Sequence, residues 1–144
     1  MIAFKAQAFY RLEHAENMEN LSTVDDVDRM IDALLAGSEF HNMASIYSTE
    51  RSKLPAGVHD HELTIGVNSD LQVGAIVFMD ETGNYATVGE PGSRKEPVYH
   101  LAGYMREFPE ECEISIALVR EAVKEFISSG GQRPRCVAWK PMEW

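Results

Sequence analysis

The alternation of apolar and polar positions predicts a β-hairpin between residues 71 and 89, at the centre of the fold. Residues 71–79 are apolar on both faces of an extended strand: Leu71, Val73, Ala75, Val77 and Met79 on one face, Ile76 and Phe78 on the other. A strand that is apolar on both faces is typical of the interior of a sheet. Residues 80–84 form the predicted turn, in which Gly83 and Asn84 tolerate a positive φ angle, and residues 85–88 form the returning strand.

Further segments with β-strand character surround this hairpin. The predicted strands cover residues 2–11, 42–49, 61–67, 98–101 and 135–139. In the strand at 61–67 the polar or small positions Glu62, Thr64 and Gly66 are expected to face water. Two polar segments, residues 13–20 and residues 103–113 with Pro109 inside, are expected to be irregular.

Two segments have apolar residues at helical spacing. The first predicted helix follows Ser22 or Thr23 and ends at Gly37, and the second runs from about Ser115 to Ser129. Each helix has a single apolar stripe, so both are expected to share one apolar face of the sheet. The predicted fold is therefore α+β: a mostly antiparallel twisted sheet in meander order, with two helices packed on one face, in a single domain over residues 1–144.

The net charge of the chain limits the kinds of molecule that it can bind. The chain has 13 Lys and Arg against 23 Asp and Glu, a formal net charge of −10. A surface this acidic repels nucleic-acid backbones and anionic membranes, so we expect no direct binding to either, and a basic protein becomes a plausible partner. The alternative is that the acidity serves solubility alone. The sequence shows neither a basic leader nor an apolar run of about 20 residues, and the expected location is the cytoplasm.

Motifs of catalysis and cofactor binding are missing from the sequence. It contains no Gly-x-Ser-x-Gly elbow and no Gly-rich phosphate loop, and the distant Cys112 and Cys136 are expected to be reduced, partly buried thiols. We therefore predict neither a cofactor nor enzymatic activity. The nearest approach to a metal motif is His59-Asp60-His61, with His100 as a candidate third ligand. A small metal-dependent enzyme that uses His59 and His61 is the alternative hypothesis.

Acidic residues fall in two clusters, one between residues 13 and 32 and one between residues 80 and 111. The second cluster lies in predicted loops, with tyrosines between the acids. Acidic loops that carry tyrosines are suited to binding a basic cleft in another protein, because the charge speeds encounter and the rings anchor the complex. The alternative interpretation is a solvated rim over a core that contains those tyrosines.

An ordered set of short motifs resembles one family of proteins. The set comprises Phe78-Met79-Asp80-x-x-Gly83-Asn84-Tyr85-x-x-x-Gly89, Val98-Tyr99, Phe108-Pro109, the helical segment 119–126, the segment 129–134, Val137 and Trp139. In this order the motifs resemble the first-numbered immunity protein family of bacterial polymorphic toxin systems. The resemblance runs from the first predicted helix to Trp139 and so covers most of the chain.

The resemblance implies that the chain binds and blocks a cognate toxin domain, often a nucleic-acid deaminase, without any activity of its own. Since such toxins need basic substrate clefts, an acidic inhibitor is suited to occupy the same surface. The predicted toxin-binding residues are Asp80, Glu81, Tyr85, Glu90, Glu107, Glu110 and Glu111. A housekeeping interaction module remains a further alternative.

Overall fold

An antiparallel sheet of eight strands forms the framework of the computed structural model, which describes residues 4–51 and 53–142. The strands are β1 (Ala6–Phe9), β2 (Glu19–Leu21), β3 (Met43–Ser48), β4 (Glu62–Asn68), β5 (Val73–Asp80), β6 (Gly83–Thr87), β7 (Val98–Leu101), β8 (Tyr104–Glu107), β9 (Ile114–Ser115) and β10 (Trp139–Pro141). The helices are α1 (Val24–Ala36) and α2 (Ile116–Ser128), and Leu12–Ala15 forms a short 3-10 helix.

The strand order confirms the predicted α+β meander. The main sheet runs β10-β6-β5-β4-β3-β1-β2, with β9 paired to β5, so that β3 to β6 are consecutive neighbours. The strands β7 and β8 form a separate two-stranded sheet. Within the described residues no helix has the length and apolar character needed to cross a membrane. The assignment of residues 1–144 to one domain stays a prediction.

The central hairpin lies inside the predicted segment but is shorter at both ends, because Leu71 is exposed in a turn before β5 and the exposed Val88 follows the end of β6. The strand β5 lies between β4 and β6, and Phe78 is paired with Leu63 on one side and Tyr85 on the other. Its turn is shorter than expected, because Asp80 already pairs with Gly83 across the hairpin. Gly83 has the predicted positive φ angle, 140°, whereas Asn84 lies inside β6 opposite Met79.

Both helices are confirmed, with caps that explain where they begin. The Thr23 hydroxyl accepts a hydrogen bond from the Asp26 amide at 3.2 Å, and the Asp26 carboxylate accepts one from the Thr23 amide at 3.1 Å. The Ser115 hydroxyl caps α2 in the same way, at 3.2 Å from the Leu118 amide. The two apolar stripes pack on one side of the main sheet, with these buried residues at the interface: Val27, Ile31, Leu34, Val119, Val123, Phe126, Ile46, Leu63, Ile65 and Phe78.

Two predictions near the start of the chain need correction. Residues 13–20 are not wholly irregular, because Nδ1 of His14 accepts the Tyr10 amide at 3.1 Å and so stabilises the 3-10 helix. The strand β2 then follows and buries Leu21. Of the strand predicted at residues 2–11, residues 6–9 form β1, while residues 2 and 3 lie outside the described residues.

The last strand begins later than predicted. The amides of Arg135 and Cys136 donate hydrogen bonds to the Glu125 carboxylate, which ties this segment to α2. Their amides are thus unavailable to a neighbouring strand. The strand β10 starts only at Trp139, where it pairs with Thr87 of β6.

A hairpin of β7 and β8 covers part of the sheet face opposite the helices. The strand β7 was predicted, but β8 replaces part of the segment expected to be irregular. Its two-residue turn is formed by Ala102 (φ 47°) and Gly103 (φ 90°), the left-handed pair that suits the twist of a tight hairpin. Because this hairpin covers β4, the expectation that Thr64 and Gly66 face water is wrong: both are buried.

Candidate functional site

The predicted contact residues lie in three separate parts of the structure. Asp80, Glu81 and Tyr85 are at the β5–β6 turn and in β6, Glu90, Glu110 and Glu111 are in two loops, and Glu107 is the last residue of β8. Backbone bonds join the two loops, since Gly89 donates to the Glu111 carbonyl at 2.7 Å and Glu111 donates to the Arg94 carbonyl at 3.0 Å. Among the described residues no hydrogen bond or ion pair links Glu107 to either group.

Arg51 neutralises the acids of the β5–β6 turn. Its guanidinium lies 3.5 Å from an Asp80 carboxylate oxygen, 3.1 Å from Glu81 and 3.1 Å from Asp60. The same group donates to the Gly131 carbonyl at 2.9 Å, which fixes it beside the end of α2. Asp80 and Glu81 therefore present less free negative charge than their positions in the sequence suggest.

Tyr85 contacts Thr82 and Arg133, two residues that line an open pocket beside that turn. Its hydroxyl donates to the Thr82 carbonyl at 3.1 Å, and the Arg133 guanidinium lies 4.0 Å from its ring centroid. The neighbouring pocket has a volume of about 680 Å³ and is lined by both signs of charge, including Arg51, Glu81 and Arg133. Tyr85 is thus half-buried and partly covered by a cation.

Three of the predicted acids are exposed and, within the described part of the chain, have carboxylates without an ion-pair partner. The side chains of Glu90, Glu107 and Glu110 are exposed, and no described cation forms an ion pair with them. The loop acids are nevertheless held in place through their backbones: the Glu110 carbonyl accepts from Nζ of Lys140 at 2.5 Å, and the Glu90 carbonyl accepts from the Ser93 hydroxyl at 2.7 Å. Fixed loops with unpaired carboxylates suit recognition of a cationic surface.

A buried carboxylate that sequence reasoning missed anchors this region. Glu113 is buried and accepts hydrogen bonds from Nε and Nη2 of Arg94, at 2.8 and 2.7 Å, and from the Tyr99 hydroxyl. Burial opposes ionisation of Glu113, but the hydrogen bonds and charge of Arg94 and the Tyr99 bond outweigh it and hold the pKa of Glu113 below its usual value. The three side chains connect the 90–97 connector, β7 and the start of β9.

The histidines of the alternative hypothesis are not arranged as metal ligands. Nε2 of His61 accepts the Ser48 amide at 2.8 Å, and Nδ1 lies 2.9 Å from the Asp60 carboxylate, so both ring nitrogens have protein partners. Burial lowers the pKa of His61 despite the opposing effect of Asp60. His59 stacks on Tyr47, while His100 packs edge-on against Phe40. Over residues 4–51 and 53–142, no three His, Cys, Asp or Glu side chains are grouped to hold a metal ion.

The cysteines are free thiols of low reactivity. Cys112 is buried and Cys136 is half-buried. Burial raises the pKa of Cys112 to about 12, and burial together with Glu125 raises the pKa of Cys136 to about 11. Since the thiolate is the nucleophilic form, neither thiol is activated for covalent chemistry.

Fold and surface together define a small acidic α+β protein that presents unpaired carboxylates from two loops and one strand. The sequence model of the family described as Immunity protein Imm1 matches residues 15–141, which is nearly the whole chain. The chain therefore belongs to the Imm1 family of immunity proteins, and its family role is that of an immunity protein for a toxin. Among curated proteins no sequence matches the chain.

Proposed function

We propose that this immunity protein inhibits a nucleic-acid deaminase toxin by covering its substrate cleft, and that it catalyses no reaction itself. The observation that carries the proposal is the net charge of −10 combined with exposed carboxylates on fixed loops. An enzyme that acts on nucleic acid binds a polyanion and therefore needs a basic cleft. An acidic protein of complementary shape competes for that cleft without needing a catalytic group.

The proposed contact residues are Asp80, Glu81, Tyr85, Glu90, Glu107, Glu110 and Glu111. Within this set Glu90, Glu107 and Glu110 carry the greatest weight, because their side chains are exposed and their carboxylates form no ion pair among the described residues. Asp80 and Glu81 contribute less, since Arg51 already compensates their charge.

The partner follows from the same chemistry. It is a basic toxin domain with a deaminase fold, and the complex forms in the cytoplasm of the bacterium that must be protected. The immunity protein itself contacts neither nucleic acid nor membrane, because its own charge repels both. It works as a single domain without a cofactor.

Co-expression with the toxin domain encoded by the adjacent gene tests the proposal. We expect the wild-type protein to restore growth, and the triple variant Glu107→Lys, Glu110→Lys and Glu111→Lys to protect less well. The matched control is Glu39→Lys, Asp70→Lys and Glu121→Lys, three exposed acids whose side chains have no described ion-pair partner. Both triple variants change the net charge equally. Equal protection by the two variants would place the contact surface elsewhere, and no protection by the wild-type protein would contradict the function.

A further inference from the structure

The strand β8 has an open edge whose unpaired groups are identified by the hairpin register. The Phe108 amide donates to the Pro97 carbonyl at 2.9 Å, so this pair is hydrogen-bonded within the hairpin. Hydrogen-bonded and non-bonded pairs alternate along an antiparallel ladder. The pairs of Met105 with His100 and of Glu107 with Val98 are therefore non-bonded. Met105 and Glu107 direct their amides and carbonyls away from β7.

On the opposite edge of the hairpin, the outward-directed backbone amide and carbonyl have hydrogen-bond partners. His100 on β7 also directs its backbone outward, and Asn42 accepts its amide at 2.8 Å through Oδ1 and donates to its carbonyl at 3.1 Å. On β8 no residue of the described chain does the same for Met105 or Glu107. All four residues of β8 are exposed, and the exposed fraction of Met105 is 59%. An exposed strand edge of this kind is a template for pairing with another chain.

A groove runs beside this edge over the outer face of the main sheet. Its volume is about 430 Å³, and its apolar lining includes Met43, Val77 and Met79. Methionine-lined surfaces adapt to apolar side chains of different shapes. The groove thus offers an apolar floor along a strand whose backbone is unpaired.

Two carboxylates give the groove its charge. Glu107 lies at the end of the open edge, and Glu62 lies on β4 below it. Tyr47 and Thr64 donate hydroxyl hydrogen bonds to Glu62 at 2.6 and 2.7 Å, which fix its carboxylate without neutralising it. Arg106 also lines the groove, so that two acids face one base.

We propose that an extended segment of the toxin pairs with the open edge of β8. One apolar side chain of this segment packs on the apolar lining of the groove, and a Lys or Arg side chain lies beside Glu62 and Glu107. This inference rests on the proposed function, because it assigns that function a second docking element. A basic segment is the occupant that the charge favours. A second copy of this chain is disfavoured, since it would bring together two molecules of net charge −10.

Amide hydrogen exchange of the isotope-labelled protein, alone and with the purified toxin domain from the adjacent gene, tests the pairing. The amides of Tyr104 and Arg106 donate within the hairpin, so they are expected to be protected in both states. The amides of Met105 and Glu107 should exchange freely in the isolated protein and become at least tenfold slower in the complex. A stable complex in which Met105 and Glu107 exchange as fast as before would overturn the pairing but leave the inhibition intact.

A pair of substitutions at Met105 separates the contribution of the backbone amide to toxin binding from that of the side chain. Met105→Pro removes the outward amide without removing a bond to β7, whereas Met105→Ala retains it. We expect the proline variant to bind the toxin about tenfold more weakly than the alanine variant, with unchanged circular dichroism. Equal affinities of the two folded variants would contradict the proposal, as would a dimer of the isolated protein joined through β8. Absence of any complex with the wild-type protein would instead contradict the proposed function.

Discussion

The ring of Tyr99 lies against the α-carbon of Gly66, and this contact holds the β7–β8 hairpin to the main sheet. A Cβ atom at position 66 would lie 2.5 Å from Cγ of Tyr99, closer than a real side chain tolerates. We expect Gly66→Ala to lower the free energy of unfolding by about 2 kcal/mol, because the buried ring must move. Urea denaturation followed by circular dichroism measures this change.

The same substitution made in a Tyr99→Ala protein separates the steric clash with the ring from the loss of backbone freedom at position 66. In the Tyr99→Ala protein the same Gly66→Ala substitution should cost little, because the ring it strikes is gone. An equal loss of stability in both backgrounds would show that the Tyr99 contact is not the cause.

The buried carboxylate of Glu113 predicts a second effect on stability. Glu113→Gln leaves Arg94 without its carboxylate partner, although the arginine remains partly open to solvent. We expect a loss of about 2 kcal/mol in the free energy of unfolding. The exposed Glu121→Gln on α2 is the control and should change stability little.

The contribution of Glu113 should depend on pH. Burial works against the ionised form, yet the bonds from Arg94 and Tyr99 hold the pKa below the ordinary value of 4.5. A depressed carboxyl pKa contributes its full stability above pH 4.5 and loses it as the pH falls through the folded pKa. The stability difference between the wild-type protein and Glu113→Gln should therefore shrink in acid. A difference that grows below pH 4.5 would contradict this assignment.

His61 is expected to act as a neutral structural residue. Burial lowers its pKa below the ordinary 6.5, so its stabilising bond from the Ser48 amide is complete above pH 6.5 and is lost as the pH falls through the folded pKa. A nuclear magnetic resonance titration should place the midpoint of His61 below 6.5. One equivalent of Zn²⁺ should leave its ring signals unmoved. A zinc-dependent shift of the ring signals of both His59 and His61 would instead support the metal-enzyme hypothesis.

The acidic surface predicts a salt-dependent rate of association with the toxin. Association should slow as sodium chloride rises, because salt screens the attraction between the acidic loops and a basic cleft. The triple lysine variant at Glu107, Glu110 and Glu111 should associate about tenfold more slowly at low salt. Stopped-flow fluorescence measures the rate. If the control variant at Glu39, Asp70 and Glu121 slows association equally, net charge rather than this surface determines the rate.

Local chemistry explains which elements were predictable from the sequence. The helices α1 and α2 carry their apolar stripes and their caps, Thr23 and Ser115, within their own segments. The central strand is apolar on both faces because it is buried on both faces. The strand β8 has no such pattern, since all its residues are exposed and only the positive φ angles of Ala102 and Gly103 return the chain.

The site residues show the same limit. Composition and loop position indicated exposed acids, and Glu90, Glu107 and Glu110 are exposed. Compensation of Asp80 and Glu81 depends on Arg51, a residue 30 positions from Glu81 in the chain. Likewise Glu113 lies next to the acidic loop in sequence, but its burial follows only from its contact with Arg94 and Tyr99. Partners that are distant in sequence leave no local pattern to detect.

Titration of the purified toxin domain with this protein tests the central claim most directly. The measured quantity is the rate of the nucleic-acid deamination that we propose for the toxin, recorded against the molar ratio of immunity protein to toxin. Inhibition by occlusion predicts that activity falls linearly to zero at one equivalent, and that an excess of substrate slows the onset of inhibition. Full activity in a saturated complex would contradict the claim.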